Sequence, residues 1–436
     1  QPRGLGAVRL VGPNGISDFH WILFDPLPTA TNVETNKTVP AAQKLVIPSA
    51  VDGIAAEITS HFFRCMLKKG KRVAIEVVAA RLGSAMDPVL RVLDSAGREQ
   101  AYNEDSPALG TDARIDFTAA KSGQYTIELR DTRYQGGPRF FYRLRVADSI
   151  ESKLPFIAGQ ASDLTSAEAS KVPAQRELEP NNSLQTAQPI DWPCSIAGGF
   201  GKPRDRDFYA FTVEKDQRLI VRGKTRSLGW PCDLFLQIQK PDGSKVAEAN
   251  PTGADEGGIT NKFAEGGAYR LLVEELNHQG GTDFNYQIVV QPFQAGFALT
   301  AETNKLQAPA SGAFDLKVTA ARREYDGPIT LKLSHPGLTF TNNLIPAKTN
   351  LAQLKVSVPP DWPPGKLINF SVSGEAKIGE ALVEARASTS PALRKSFPNL
   401  LYPPPALDEL DGLIGLGIIE GKPKPDSASK QTADKK

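Results

Sequence analysis

The chain alternates short apolar runs with breakers. Runs such as Val73-Ala-Ile-Glu-Val-Val78, Leu234-Phe-Leu-Gln-Ile238, Tyr269-Arg-Leu-Leu-Val273 and Tyr286-Gln-Ile-Val-Val290 follow the period-2 pattern of half-buried strands. Asp-Gly, Gly-Gly and Pro-Gly turns separate them. The 37 glycines and 34 prolines are spread along the whole length, which excludes long helices. The expected fold is all-β, built of antiparallel β-sandwiches rather than parallel sheets with crossover helices.

Internal repetition sets the domain plan. Val33-Glu-Thr-Asn-Lys-Thr38 recurs as Leu178-Glu-Pro-Asn-Asn-Ser183, and Ala42-Gln43 recurs as Ala187-Gln188. His61-Phe-Phe63 answers to Asp207-Phe-Tyr209, Asp87 to Asp233, and Gly97 to Gly243. Gly123-Gln-Tyr125 answers to Gly267-Ala-Tyr269, and Phe141-Tyr-Arg-Leu-Arg-Val146 to Asn285-Tyr-Gln-Ile-Val-Val290. The one-residue drifts in spacing are those that loop insertions produce. Residues 32–148 and 176–292 therefore read as two copies of one β domain, joined by a linker over 149–175 whose Ala161 to Gln175 stretch is Ala-, Ser- and polar-rich.

Two further segments flank the pair. Residues 294–390 carry six strand-like runs, among them Phe314-Asp-Leu-Lys-Val318 and Ile368-Asn-Phe-Ser-Val372, and fit an Ig-like sandwich. Residues 1–27, with a Pro13-Asn-Gly15 turn, read as the last hairpin of an Ig-like domain whose first part lies upstream, because a lone hairpin is unstable in water. Residues 391–436 form a C-terminal extension. Its Asp408 to Gly421 stretch reads as a last strand or a short helix, and its tail from Lys422 as disordered.

Length and charge narrow the partners. At 436 residues the chain suits about three to four folding units. A net charge of +2 gives no electrostatic case for nucleic acid or an anionic membrane surface. The longest uncharged apolar stretch, Leu413 to Ile419, is far short of the roughly 20 residues that span a bilayer. A first residue Gln1, with no preceding Met and no signal-peptide pattern, marks a processed product or a piece of a longer chain.

The second copy resembles a known family. Glu179-Pro-Asn-Asn-Ser183, Asp205-Arg-Asp-Phe-Tyr-Ala-Phe211, Asp233-Leu-Phe-Leu236, Pro241-Asp-Gly243 and Gly267-Ala-Tyr269 together resemble the bacterial pre-peptidase C-terminal (PPC) domain. The likeness covers nearly all of the second copy; the first copy keeps the strands and departs at the polar positions. Two such copies followed by an Ig-like module resemble large secreted proteins of planctomycete-type bacteria. The resemblance implies jelly-roll-like β-sandwiches, carried as accessories on secreted peptidases or envelope proteins and without catalysis of their own. Its relatives include the collagen-binding domains of clostridial collagenases.

The residues themselves offer little catalytic chemistry. The four histidines, His20, His61, His278 and His335, stand in unrelated contexts, and neither His-Glu-x-x-His nor Gly-x-Ser-x-Gly occurs. Ser17 reads as a turn serine. His61 and Cys65 share one face of a strand, yet Cys65 alternates with Phe63 and Leu67 as a core stripe would. Gly198-Gly199, Gly257-Gly258 and Gly280-Gly281 lack the Lys-Ser/Thr or helix that cradles a phosphate and read as loops.

One metal site is expected. Glu177, Glu179, Asn181 and Asn182, with Asp205 and Asp207 ahead of a strand, offer six oxygen ligands of the hard kind that Ca²⁺ prefers. The alternative is an ordinary solvated acidic turn, and the collagenase relatives, where a similar segment and Asp pair bind Ca²⁺, favour the metal. The first copy keeps Glu34 and Asn36 but has Thr35, Lys37, Thr59 and His61 for Pro180, Asn182, Asp205 and Asp207, so it is expected to fold without metal. Cys194 and Cys232 each follow a Trp-Pro pair, and two readings stand: a disulfide across the second copy, or two buried thiols, with Cys65 reduced in either case. Trp192 and Trp230 form a ligand platform or cap the sandwich edge.

The functional expectation is a noncatalytic accessory or binding array of an exported protein, secreted, periplasmic or at the cell surface. Its modules would serve as spacers or bind an extracellular protein or polysaccharide. The second expectation is the C-terminal accessory region of a secreted hydrolase, a peptidase, whose catalytic domain lies upstream.

Overall fold

A computed structural model describes residues 3–106, 109–152, 154–155, 172–228, 230–249, 256–395 and 409–421. The protein is all-β. Among the described residues the one α-helix is the short Ser390–Lys395.

The two copies share one topology. In the first, one sheet runs Glu99–Asn103, Pro88–Leu93, Gly123–Asp131, His61–Leu67 and Gln43–Lys44; the facing sheet runs Arg114–Thr118, Arg72–Val78, Phe141–Ala147, Ser49–Ile54 and Thr29–Thr31. The second copy repeats both orders strand for strand. Each sheet is antiparallel except at one edge. There a short lead-in strand pairs parallel, Thr29–Thr31 on Ser49–Ile54 and Ala174–Arg176 on Cys194–Gly199. Residues 174–176 lie in the stretch read as linker, of which residues 153 and 156–171 fall outside the described residues.

The period-2 pattern explains the packing. In His61–Leu67, the side chains of His61, Phe63, Cys65 and Leu67 point inward while Phe62, Arg64 and Met66 lie outward. Arg72–Val78 breaks the alternation because both of its faces are covered. Ala74 packs outward on Ala147 and Ile150, and Glu76 sits in a buried ion cluster with Arg81, Arg114 and Arg145. The repeated Gly-x-Tyr motif has a structural role: Tyr125 Oη donates to the Lys121 carbonyl and Tyr269 Oη to the Glu265 carbonyl, both at 2.9 Å, pinning the turn before each long strand. Gly97 and Gly243 recur because both adopt positive φ, +77° and +86°, in the equivalent turn.

The third sandwich pairs an eight-stranded curled sheet with the three-stranded sheet Lys305–Pro309, Ile414–Ile419, Leu367–Phe370. The apolar run through Val372 divides at Ser371: Leu367–Phe370 joins one sheet and Val372–Ile378 the other. Ile414–Ile419 is the middle strand of the smaller sheet, and its Ile414, Leu416 and Ile418 enter the core of residues 297–387. Of the 408–421 stretch, Ile414–Ile419 is thus a strand, while residue 408 and the tail from Lys422 lie outside the described residues.

The N-terminal hairpin, Gly4–Val8 with His20–Phe24, lies against this sandwich. Ala7, Phe19 and Trp21 pack on Leu393, Leu410 and Leu413, and Lys305 pairs with Asp18 at 2.7 Å. At its other end Asp25 accepts from Arg143 at 2.9 Å and Arg145 at 3.2 Å of the first copy. The cover that a lone hairpin needs is therefore supplied within this chain.

The disulfide reading is corrected. Cys65, Cys194 and Cys232 are free and buried. Cys194 is the register partner of Val290, whereas the Cys232 thiol donates to the Asn285 carbonyl at 3.3 Å. Val290 and Asn285 lie on one strand, five residues apart, or about 17 Å at strand rise. A disulfide needs Cα atoms within roughly 7 Å. Trp192 and Trp230 are partly buried against the core of the second copy, and Trp192 donates its indole N–H to the Thr212 carbonyl.

Candidate metal centre

The candidate site lies at one edge of the second copy, where the lead-in segment crosses the start of Arg206–Val213. After Ala174–Arg176 comes Glu177, then a turn carrying Glu179, Asn181 and Asn182. The side chain of Gln188 holds this turn, accepting from Leu178 N at 2.8 Å and donating to the Arg176 carbonyl at 2.9 Å. Gln43 does the same for Val33 and Thr31 in the first copy, which explains the repeated Ala-Gln pair. Phe208 N donates to the Asn181 carbonyl at 2.9 Å and ties the turn to the strand that bears Asp207.

The carboxylates converge. One oxygen from each of Glu177, Glu179 and Asp207 lies within 4.8 Å of the others. Asn181 and Asp207 are fully buried and Asp205 is nearly so. Asn181 donates its amide to Glu177 Oε1 at 3.0 Å, which leaves its Oδ1 free, and Asn182 donates to Glu179 Oε2 at 2.9 Å from the rim. Gly199 N fixes the other oxygen of Glu177 at 2.8 Å. Three buried oxygens, Asn181 Oδ1, Asp205 Oδ1 and Asp207 Oδ1, have no hydrogen-bond partner.

Such crowding is electrostatically unfavourable on its own. Burial first, then the charge and hydrogen bond of Glu177, and lastly the charge of Asp205, push the Asp207 carboxyl up to about 9 against the opposing pull of the Tyr286 hydroxyl. The structure brings together the carboxylates of Glu177, Glu179 and Asp207, with Asp205 outside that group as a nearby charge and Asn182 on the rim; this all-oxygen cluster, with no nitrogen or sulfur donor, fits a hard divalent cation such as Ca²⁺. The orphaned oxygens are where such an ion would find ligands.

The first copy arranges its counterpart positions differently. Asn32 stands where Glu177 does, and Asn36 donates to its Oδ1 at 2.8 Å. His61, in the Asp207 position, is buried and hydrogen-bonds Tyr142 Oη through Nδ1 at 2.7 Å. Burial, then the Lys37 charge, hold this imidazole below its ordinary value. Cys65 is pushed up to about 11 by burial, so it stays a thiol and makes no pair with His61.

Three residues of the site escaped sequence reading. Tyr286 Oη donates to Asp207 Oδ2 at 2.7 Å, and Tyr209 Oη meets Tyr286 Oη at 2.6 Å. Gly198, read as loop, lies in Cys194–Gly199, and a Cβ there would stand 2.5 Å from the Tyr286 ring. Gly53 plays the same part beneath Tyr142. The signal was present: Gly53 and Tyr142 recur as Gly198 and Tyr286 even though the acids do not.

Fold and site together define a modular β-sandwich protein with a partly buried cluster of acidic side chains in one of two like modules. No protein-family model matches the chain. Over 203 residues, 45% of the chain, it is 27% identical to a probable subtilase-type serine protease of Deinococcus radiodurans, and the shared stretch spans 27% of that protein. Among the described residues no helix is long and apolar enough to cross a membrane.

Proposed function

We propose that the chain is a noncatalytic accessory array of an exported bacterial protein. Its PPC-type and Ig-like sandwiches act as spacers or bind an extracellular protein or polysaccharide. The second copy takes up Ca²⁺ through Glu177, Glu179, Asn181, Asn182, Asp205 and Asp207, and the first copy folds without it. The cation reading rests on the buried, partnerless carboxylate oxygens of Asp205 and Asp207 beside Glu177 and Glu179, since the partnerless amide oxygen of Asn181 has its like in Asn36 of the first copy. Each such group costs about 1–3 kcal/mol if left bare, and a divalent ion in contact with it removes that cost. In a secreted, periplasmic or cell-surface location the site would need an affinity no higher than the roughly 10⁻⁴–10⁻³ M of extracellular modules.

The likeness to a probable subtilase-type serine protease favours a second reading, an accessory region of a secreted peptidase whose catalytic part lies upstream. A longer polypeptide that hydrolyses casein through its upstream part supports that reading; one with only further sandwiches supports a pure binding array.

Thermal unfolding in millimolar Ca²⁺ and in chelator, on the chain and on an Asp205→Ala, Asp207→Ala variant, tests the cation. One transition should rise with Ca²⁺, by about 2.7 kcal/mol at a hundredfold excess over Kd, and the variant should lose the rise. No rise in the unaltered chain would make the acidic segment an ordinary solvated turn.

A further inference from the structure

We infer that Tyr209 is a positioning residue for the cation site, holding Tyr286, and through it Asp207, in the ligating orientation. The inference rests on the cation reading above. Tyr286 has one hydroxyl hydrogen and gives it to the acids, to Asp207 Oδ2 at 2.7 Å with Glu177 Oε1 farther off at 3.4 Å. Its 2.6 Å contact with Tyr209 must then run the other way, with Tyr209 donating and Tyr286 accepting. The result is a directed chain from Tyr209 to Tyr286 to Asp207. It occupies one oxygen of Asp207 and leaves Oδ1, the oxygen without a partner, for the ion.

Both rings are fully buried. The Tyr286 ring lies over Gly198 and against Phe200, with centroids 4.9 Å apart, so packing fixes its plane while Tyr209 fixes its hydroxyl. Tyr209 and Asp207 sit two apart on Arg206–Val213, on the same inward face. One strand thus supplies both a ligand and its remote support.

The first copy is the built-in control. The Tyr209 position there is Phe63, also fully buried, and Tyr142 bonds to neutral His61 with no second hydroxyl behind it. The second hydroxyl occurs in the copy that has the acid. A hydroxyl deep in a core needs a partner, and the oxygen of Tyr286 becomes a good acceptor because its proton is committed to a carboxylate. Outer partners of this kind typically change metal affinity by about 10–100-fold.

The test compares the full chain with Tyr209→Phe, a change the fold already accepts at residue 63, and with Tyr269→Phe, a second buried tyrosine of the same sandwich that bonds only the Glu265 carbonyl. Ca²⁺ affinity is read from the Ca²⁺-induced rise in melting temperature, and independently from tyrosine-sensitised Tb³⁺ luminescence displaced by Ca²⁺. Tyr209→Phe should weaken Ca²⁺ binding about tenfold or more and shrink the Ca²⁺-induced rise, whereas Tyr269→Phe should lower the melting temperature equally with Ca²⁺ and with chelator. Equal Ca²⁺ affinity in Tyr209→Phe and the unaltered chain would overturn the inference while the cation reading stands. Absence of any Ca²⁺ or Tb³⁺ response in the unaltered chain would overturn both.

Discussion

Replacing Asp207 by Asn should stabilise the second copy in chelator, although it alters a fully buried residue. The carboxyl moves from 3.8 in the unfolded chain to about 9 in the metal-free fold. An acid raised in this way favours folding only where it is protonated in both states. As pH climbs above 3.8 the unfolded chain releases a proton that the fold retains, and stability falls until the folded group ionises near 9. At about 1.36 kcal/mol per pH unit, the penalty at pH 7 is on the order of 4 kcal/mol. Asn keeps the shape, can accept from Tyr286 through Oδ1, and can donate to Glu177 through its amide. The gain in chelator at pH 7 should approach that figure, and the decline between pH 4 and 9 should flatten. Ca²⁺ should no longer raise the transition. Urea denaturation across this pH range, with chelator and with Ca²⁺, measures all three. A variant less stable than the unaltered chain in chelator, or an unaltered chain whose metal-free stability ignores pH, would refute the buried-acid account.

Three other outcomes follow from the first copy and the thiols. Glu76→Gln leaves Arg81, Arg114 and Arg145 without their shared carboxylate and should cost the first copy about 3–5 kcal/mol, read as a lower first transition with the Ca²⁺ response of the second intact. His61 is held below its ordinary 6.5 by burial and then by Lys37, in a pocket where Tyr142 is its hydrogen-bond partner. Its contribution is therefore full above pH 6.5 and is lost as pH falls below it, and His61→Asn should flatten that slope of the first transition. Alkylation after denaturation without reductant should modify three cysteines, and reductant should leave the melting temperatures unchanged; a loss of two reactive thiols would contradict the spacing of Cys194 and Cys232.

Much of the fold was legible because its signals are local. Period-2 runs mark the strands, and the Gly97 and Gly243 turns recur because one backbone angle demands them. The duplication was legible because each copy repeats the same turns and strands. The lead-in strands were not, since Thr29–Thr31 and Ala174–Arg176 are three residues each and owe their form to parallel pairing with strands 20 or so residues later. The role of 414–419 was open for a similar reason: an apolar run shows burial, while its partners Lys305–Pro309 and Leu367–Phe370 are distant in sequence. Of the site, the oxygen ligands could be read from their chemistry. The tyrosines could not, because a buried Tyr in an alternating strand looks like core until the hydroxyl's partner is seen.

The first copy reaches the same ten-strand topology with Asn32, Thr59 and His61 in place of Glu177, Asp205 and Asp207. The fold therefore does not require the acids. In the absence of a cation they lower stability, because Asp207 must hold a proton against its ordinary preference. Residues that cost stability and that the fold can replace mark a site of use, since substitutions that relieve such strain are readily found when nothing opposes them. The supporting parts point the same way. Gly198 and Tyr286 match Gly53 and Tyr142 and belong to the fold, whereas Tyr209 departs from Phe63 in the copy with the acids. At this edge the acids and the Tyr209 hydroxyl behind them are thus what sets the second module apart from the first.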